Sequence, residues 1–102
     1  STEANTAALD GVAGGMASAM AINYAGCAAK SHKATANKCL AVDNCNDIST
    51  LMQGGLPTGY TVADGAIGAA TPADGDTATC TVTQTSTTKT KDFVGIRAGN
   101  AT

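Results

Sequence analysis

The sequence predicts an α+β domain in which one long N-terminal helix packs on an antiparallel sheet of three or four strands. Two observations support this fold class. Residues 11–29 carry no charge, and the larger apolar residues in and just before this run recur at steps of three and four, the period of a helix. After Pro57 the pattern changes to alternation with a period of two, which is typical of strands with one wet face.

The predicted helix spans residues 2–29, with Thr2 or Asn5 as its cap. Its apolar stripe, which we assign to the sheet, consists of Leu9, Val12, Met16, Met20 and Tyr24. Small residues lie behind the stripe where a solvated helix would have charges: Ala13, Ala17, Ala21 and Ala28. A helix that is apolar or small nearly all round is expected to be buried on more than one side.

Three glycines interrupt this helical pattern. Gly11, Gly14 and Gly15 each lower helix stability by about 1 kcal/mol relative to alanine, and they predict a soft or kinked point. A membrane span is the alternative interpretation of the uncharged run. It is less favoured, because Ala and Gly dominate where a span is rich in Leu, Ile, Val and Phe.

Residues 30–58 are expected to form a connection between the helix and the sheet. Its first part, 30–38, is polar and poor in helix-forming residues and is predicted to be a loop. A short helix is predicted over 46–53, with Asn44 or Asn46 as its cap and Gly54-Gly55 as its end.

The sheet is expected to contain strands at 59–62, 77–85 and 92–98. In the middle strand, one face carries Ala78, Cys80, Val82 and Gln84. The opposite face carries five threonines, which suit a solvated strand face, with contact to a flat ordered surface as the alternative. The final four residues are predicted to be a frayed tail.

Composition limits both size and partners. The chain of 102 residues makes one domain, and its three aromatic residues predict a thin core. A net charge of −2 gives no general reason to bind nucleic acid. One basic cluster is expected to be solvated, with an anion contact as the alternative: Lys30, His32, Lys33 and Lys38.

The four cysteines, Cys27, Cys39, Cys45 and Cys80, predict two disulfides and an oxidising compartment. Their spacing lacks the CxxC pairs of a zinc site, and a single histidine cannot complete a Cys2His2 set. Four cysteines allow three connectivities, which the sequence alone does not rank.

No catalytic constellation is found in the sequence. His32 lies in a lysine-rich loop without a serine or cysteine and an aspartate set beside it for triad chemistry. The run from Asp74 to Asp76 could help bind calcium, but it lacks the regular spacing of a calcium-binding loop, and a turn is favoured. We therefore expect no enzyme activity, no cofactor and no metal.

Three stretches carry a resemblance to a known family. AALDGVAGGMASAMAINYAGC resembles the second half of the first helix in type IV pilins and pseudopilins, in particular pilins of the mannose-sensitive haemagglutinin type. TLMQGGLPTGYTV resembles the segment that leads those proteins into their first strand, and TATCTVT resembles their second strand. By this resemblance, residues 1–102 are one pilin domain, with the second half of the helix at 1–29, an αβ-loop at 30–58 and the sheet at 59–98.

The resemblance implies a structural subunit of an extracellular filament that serves adhesion, surface motility or uptake. Its first helix would lay one side on its own sheet and the other against identical or related pilins. The residues implied for this helix are Leu9, Val12, Ala13, Met16, Ala17 and Met20, with Ala13 and Ala17 behind the sheet-facing stripe.

The resemblance also implies a location and a missing segment. The protein would sit on the surface of a Gram-negative bacterium, after delivery by the pilus assembly machinery. A leader and an apolar first half of the helix, which would anchor the subunit in the inner membrane before assembly, are expected before Ser1. The alternatives are a pseudopilin of a type II secretion system and a secreted, disulfide-bonded binding domain.

For the cysteines, the preferred connectivity is Cys27–Cys39 with Cys45–Cys80. The first bridge would close the loop that leaves the helix. The second would pin the short helix to the middle strand.

Overall fold

A 27-residue helix, α1 (Thr2–Ala28), crosses one face of a three-stranded antiparallel sheet in the computed structural model, which describes residues 1–102. The strands are β1 (Tyr60–Val62), β2 (Thr77–Gln84) and β3 (Thr90–Ile96). They lie side by side in the order of the sequence, so that β2 is the central strand. The predicted α+β class, with one long helix on a small antiparallel sheet, is confirmed.

The cap of α1 lies one residue before Thr2 and four before Asn5, the two predicted caps. Ser1 is the cap, because its Oγ accepts a hydrogen bond from the backbone N–H of Ala4 at 3.1 Å. The helix then runs to Ala28 and includes Gly11, Gly14 and Gly15 without a break. These glycines therefore do not end or divide the helix.

The buried side of α1 differs in part from the predicted stripe. Its buried residues are Leu9, Ala13, Met16, Met20, Asn23 and Cys27, which follow one another at steps of three and four. Ala13 is only 3% exposed, so the expectation that it lies behind the sheet-facing stripe is wrong. It falls between Leu9 and Met16 on the same helix face, whereas Val12 and Tyr24 lie at the margins and are only partly buried.

The connection contains a shorter helix than predicted. A 3₁₀ turn (Cys45–Asp47) leads into a single helical turn, α2 (Ile48–Leu51). Asn44 caps the 3₁₀ turn, and the Asp47 carboxylate accepts hydrogen bonds from the backbone N–H groups of Asp43 and Asn44 at 3.0 and 3.2 Å. Gly54 and Gly55 follow with positive φ values, which reverse the chain direction after α2.

The central strand alternates as predicted. Cys80, Val82 and Gln84 are buried towards α1, and Ala78 is partly buried beside them. The buried Gln84 amide is satisfied, because its Nε2 donates to Asn5 O at 3.0 Å and to Tyr60 Oη at 2.9 Å.

The third strand covers residues 90–96 instead of the predicted 92–98. It starts earlier, since Thr90 and Lys91 continue the ladder opposite Thr83 and Val82. Beyond the strand end, Ala98 pairs with Val42 in an isolated bridge.

Two disulfides are present, with the preferred connectivity. Cys27–Cys39 joins the end of α1 to the loop that follows it, and Cys45–Cys80 joins the 3₁₀ turn to β2. Cys45–Cys80 lies directly over Gly95 of β3, where an added Cβ would come within 2.5 Å of Cys80 Sγ. The two bridges indicate an oxidising environment, outside the cytoplasm.

The end of the chain is ordered by hydrogen bonds, so the predicted frayed tail is wrong for Gly99 and Asn100. The Asn100 side-chain amide Nδ2 lies 3.0 Å from Val42 O, 3.0 Å from Asp74 Oδ1 and 2.9 Å from Ala98 O. Its backbone N–H donates to Asp74 Oδ2 at 3.0 Å. These bonds fasten the chain end to two loops that are distant in sequence.

Candidate functional site

The side of α1 that points away from the sheet is uncharged and almost free of large side chains. Its exposed residues extend for about 30 Å along the axis, at 1.5 Å per residue. We call them the outer helix face, and they are Ala4, Ala7, Ala8, Gly11, Gly14, Gly15, Ser18, Ala21, Ile22 and Ala25. Only Ile22 is large, and it is 72% exposed. A solvated helix face normally carries charged residues, which are missing here.

The glycines of the outer helix face have no function within the domain that their surroundings reveal. An added Cβ at Gly11, Gly14 or Gly15 would meet no atom within 4 Å. Each glycine nevertheless lowers helix stability by about 1 kcal/mol relative to alanine. Nothing inside the domain therefore requires glycine at these positions.

The spacing of the small residues suits close contact with a second helix. Gly11 and Gly15 are four residues apart, as are Gly14 and Ser18, so each pair is stacked on one side of the helix. Small residues at this spacing let the backbones of two helices approach closely, as in tightly packed helix pairs of membrane proteins. The outer helix face is thus shaped for another helix rather than for a small molecule.

Charges lie at the start of this face, where Glu3 is exposed in the first turn of α1, and on its flank. Asp10 lies beside it, and its carboxylate is 3.5 Å from Lys91 Nζ of β3. Both side chains are about half exposed, so this ion pair contributes little to stability. It does hold the Asp10 charge towards the sheet and away from the outer helix face.

None of the six residues implied for assembly lies on the outer helix face. Four are in the core: Leu9, Ala13, Met16 and Met20. Val12 and Ala17 are partly buried and pack against that core. The signal that could have found the outer residues is the glycine group itself, since it lies on the helix side opposite the large apolar residues.

The aspartates of the candidate calcium loop are already bonded within the domain. Asp74 accepts from Asn100 and lies 3.9 Å from Arg97 Nε, and its side chain is only 9% exposed. Asp76 Oδ2 accepts from the backbone N–H of Ala73 at 2.9 Å, which closes a turn. The structure contains no group of three or more His, Cys, Asp or Glu residues placed to hold a metal ion.

The basic cluster is spread over the loop that Cys27–Cys39 closes. Lys30, Lys33 and Lys38 are exposed, whereas His32 is half-buried with its ring centroid 6.0 Å from that of Tyr24. The Nδ1 atom of His32 is buried and has no hydrogen-bond partner. No cysteine can act as a nucleophile beside it, since all four cysteines are in disulfides.

A shallow groove of about 300 Å³ lies between α1, the disulfide loop and α2. Asn23 lines this groove, and both polar atoms of its amide bond to one neighbour. Nδ2 donates to Leu40 O at 2.9 Å, and Oδ1 accepts from Leu40 N at 2.8 Å. Asn23 therefore holds the loop against the helix.

Comparison of the chain with family models, with curated proteins and with solved structures finds no match. None of the helices combines the length and the apolar character that crossing a bilayer requires. Function must therefore be inferred from the fold, the disulfides and the outer helix face.

Proposed function

We propose that this chain is the globular domain of a structural subunit of an extracellular filament of the type IV pilus class. The outer helix face would pack against the helices of neighbouring subunits, identical or related. The single observation that carries this proposal is the outer helix face itself, an uncharged strip of about 30 Å that contains three glycines without a role in the domain.

The two sides of α1 support separate roles for this helix in folding and in assembly. One side buries Leu9, Met16 and Met20 against the sheet, which accounts for the stability of the domain. The other side is left open, with small residues that would allow several helices to pack together in the centre of a filament. A subunit that uses one helix for both contacts needs such a two-sided composition.

The disulfides are consistent with this location. Both bridges require an oxidising compartment, which an extracellular filament provides. As a pilus subunit, the protein would be delivered by the pilus assembly machinery from the inner membrane of a Gram-negative bacterium, where an apolar segment before Ser1 would hold it. Adhesion, surface motility or uptake would be a property of the assembled filament, and we assign the domain no catalytic role.

The test is a charge placed on the outer helix face of the full-length gene product. Ser18→Glu is expected to abolish surface filaments, because an unpaired carboxylate buried between helices costs several kcal/mol per subunit. The melting temperature of the isolated domain should stay within a few degrees of the wild-type value, since Ser18 is exposed there. Filaments are counted by electron microscopy, and the domain is melted by circular dichroism.

The matched control is Ala70→Glu, which adds the same charge at an exposed loop position outside α1. Normal filament numbers are expected for this variant. Normal numbers for Ser18→Glu as well would reject the assembly role of the outer helix face.

A further inference from the structure

The sheet face that points away from α1 presents a row of threonines along its central strand. Every outward position of β2 is a threonine, and the residue after the strand continues the row: Thr77, Thr79, Thr81, Thr83 and Thr85. Successive members are separated by two residues, which is about 6.6 Å in a strand. The row therefore has a regular repeat along the whole of β2.

The neighbouring strands extend this row in the second direction. The pairing places Thr61 of β1 opposite Thr83, and Thr83 opposite Thr90 of β3. Adjacent strands are about 4.8 Å apart, so these three side chains form a line across the sheet. Together with the row on β2 they make a set of seven threonines, which we call the threonine array, and its line across the sheet occurs only at Thr83, since Thr77, Thr79 and Thr81 lie opposite Ile96, Val94 and Asp92 of β3.

Most hydroxyls of the threonine array have no partner inside the domain. Thr81 donates to Asp92 Oδ1 at 3.2 Å, and Thr85 donates to Gly59 O at 3.1 Å. The other five make no side-chain hydrogen bond in the structure: Thr61, Thr77, Thr79, Thr83 and Thr90. Each of these offers a hydroxyl and a methyl group to whatever lies against the sheet. Because threonine is branched at Cβ, these groups are held in few rotamers before contact.

The charge and size of this face restrict its partner. Asp92 is the only charged residue among the outward positions of the three strands, and no aromatic residue is among them. A polyanion would need lysine or arginine here. The face is about 26 Å long and about 10 to 14 Å wide, or roughly 260 to 360 Å², which is well below the ~800 Å² per partner of a stable protein interface. A neutral, repeating surface fits these properties better than an anionic polymer or a second folded protein.

We propose that the threonine array binds ice. Ice is a neutral lattice of water oxygens with a regular repeat, so a regular row of hydroxyls along β2 can meet it at several points. The hydroxyls can take the places of water molecules at the lattice surface, and the methyl groups can lie between them without breaking hydrogen bonds. The array needs neither a pocket nor a charge for this contact, and the interaction is independent of filament formation.

The proposal is tested with the purified 102-residue chain and ice itself. Wild-type protein is expected to slow ice recrystallisation and to bind single ice crystals when labelled with a fluorophore. Thr79→Lys combined with Thr83→Lys should raise the protein concentration needed to slow ice recrystallisation by at least about tenfold. The reason is that two ammonium groups would have to lose water at the lattice. The control is Thr58→Lys, which adds a charge at an exposed position outside the array and should leave the activity unchanged.

A second variant keeps the strand shape while it removes the hydroxyls. Thr79→Val combined with Thr83→Val preserves branching at Cβ, so the fold should be retained and the activity reduced. Circular dichroism melts verify the fold of each protein. Wild-type activity no greater than that of serum albumin at equal concentration would overturn the proposal, and so would full activity of the lysine variant. Binding to crystalline cellulose without any effect on ice would likewise overturn it.

Discussion

Two regions of this domain are held together by different interactions. One is the helix–sheet layer, and the other is the loop end, where the Cys27–Cys39 loop meets the segment around Ala98. The layer contains eleven buried residues in one cluster, among them Met16, Met20, Val82 and Phe93. The loop end buries only three residues in its own cluster: Cys27, Cys39 and Ala98. There the structure depends on a disulfide and on side-chain amides that bond to backbone groups.

This difference shows how a chain with few large apolar residues can order its whole length. Burying one methionine or valine side chain contributes about 1.5–3 kcal/mol, so packing is the main source of stability in the layer, with the Cys45–Cys80 bridge in addition. At the loop end, each hydrogen bond contributes about 1 kcal/mol and a bridge about 2–4 kcal/mol. Several such contacts replace the missing apolar core there.

The largest effect is expected from a charge in the layer. Met20→Glu should destabilise the domain by more than about 4 kcal/mol, since Met20 is fully buried and its neighbours offer no partner for a carboxylate. Urea unfolding followed by circular dichroism should show little or no native baseline. Ile22→Glu, two residues further along and exposed, is the control and should change the free energy of unfolding by less than about 0.5 kcal/mol.

Ala13→Glu belongs with Met20→Glu and not with the variants of the outer helix face. Ala13 lies in the same buried cluster, so this change should also unfold the domain. A stable, folded Ala13→Glu protein would show that the layer can open at this point. Ala13 would then behave like the outer helix face and not like the buried layer.

An intermediate effect is expected at the loop end. Asn100→Ala should lower the free energy of unfolding by about 1–2 kcal/mol, because it removes the amide that joins Val42 O to Asp74 and takes a hydrogen bond from the largely buried Asp74 carboxylate. Denaturant titration measures the change. Asn46→Ala is the matched control, since its only side-chain bond is a weak, exposed one of 3.4 Å to Asp64. Equal stability of the two variants would mean that the loop end depends on its bridge alone.

The smallest effect is expected on the outer helix face, which takes part in neither set of contacts. Gly15→Ala should stabilise the isolated domain by about 0.5–1 kcal/mol, because alanine has the higher helix propensity and the added Cβ meets no atom within 4 Å. Thermal melts can resolve a rise of a few degrees. A fall in stability would show that Gly15 has a packing role in the domain.

The structure of the helix–sheet layer could largely be predicted, because the apolar residues that form it recur at regular spacing in the sequence. Alternation identified the buried face of β2, and the even number of cysteines predicted two bridges. Helical spacing alone did not assign Ala13 correctly, because a small apolar residue fits either side of a helix. Its place in the core depends on how closely the sheet approaches.

The contacts of the loop end could not be predicted from local patterns. The Asn100 amide bonds to Val42, which is 58 residues away in sequence. The residues next to Asn100 in sequence do not include Val42 or Asp74, so the local sequence contains no signal for these bonds. The outer helix face could not be predicted from local patterns either, because the absence of contacts around a glycine is visible only in three dimensions.

The position of Gly95 has a consequence for how this protein can change over generations. Any larger residue there would collide with Cys80 Sγ and with Ile67 Cδ1, which an added Cβ would approach to 2.5 and 2.8 Å. A descendant that kept the Cys45–Cys80 bridge would therefore have to keep glycine at this position. Replacement of Cys80 would remove one of the two collisions, although a side chain at residue 95 would still have to displace Ile67 Cδ1. Lineages of this domain that keep the bridge should therefore keep the glycine as well.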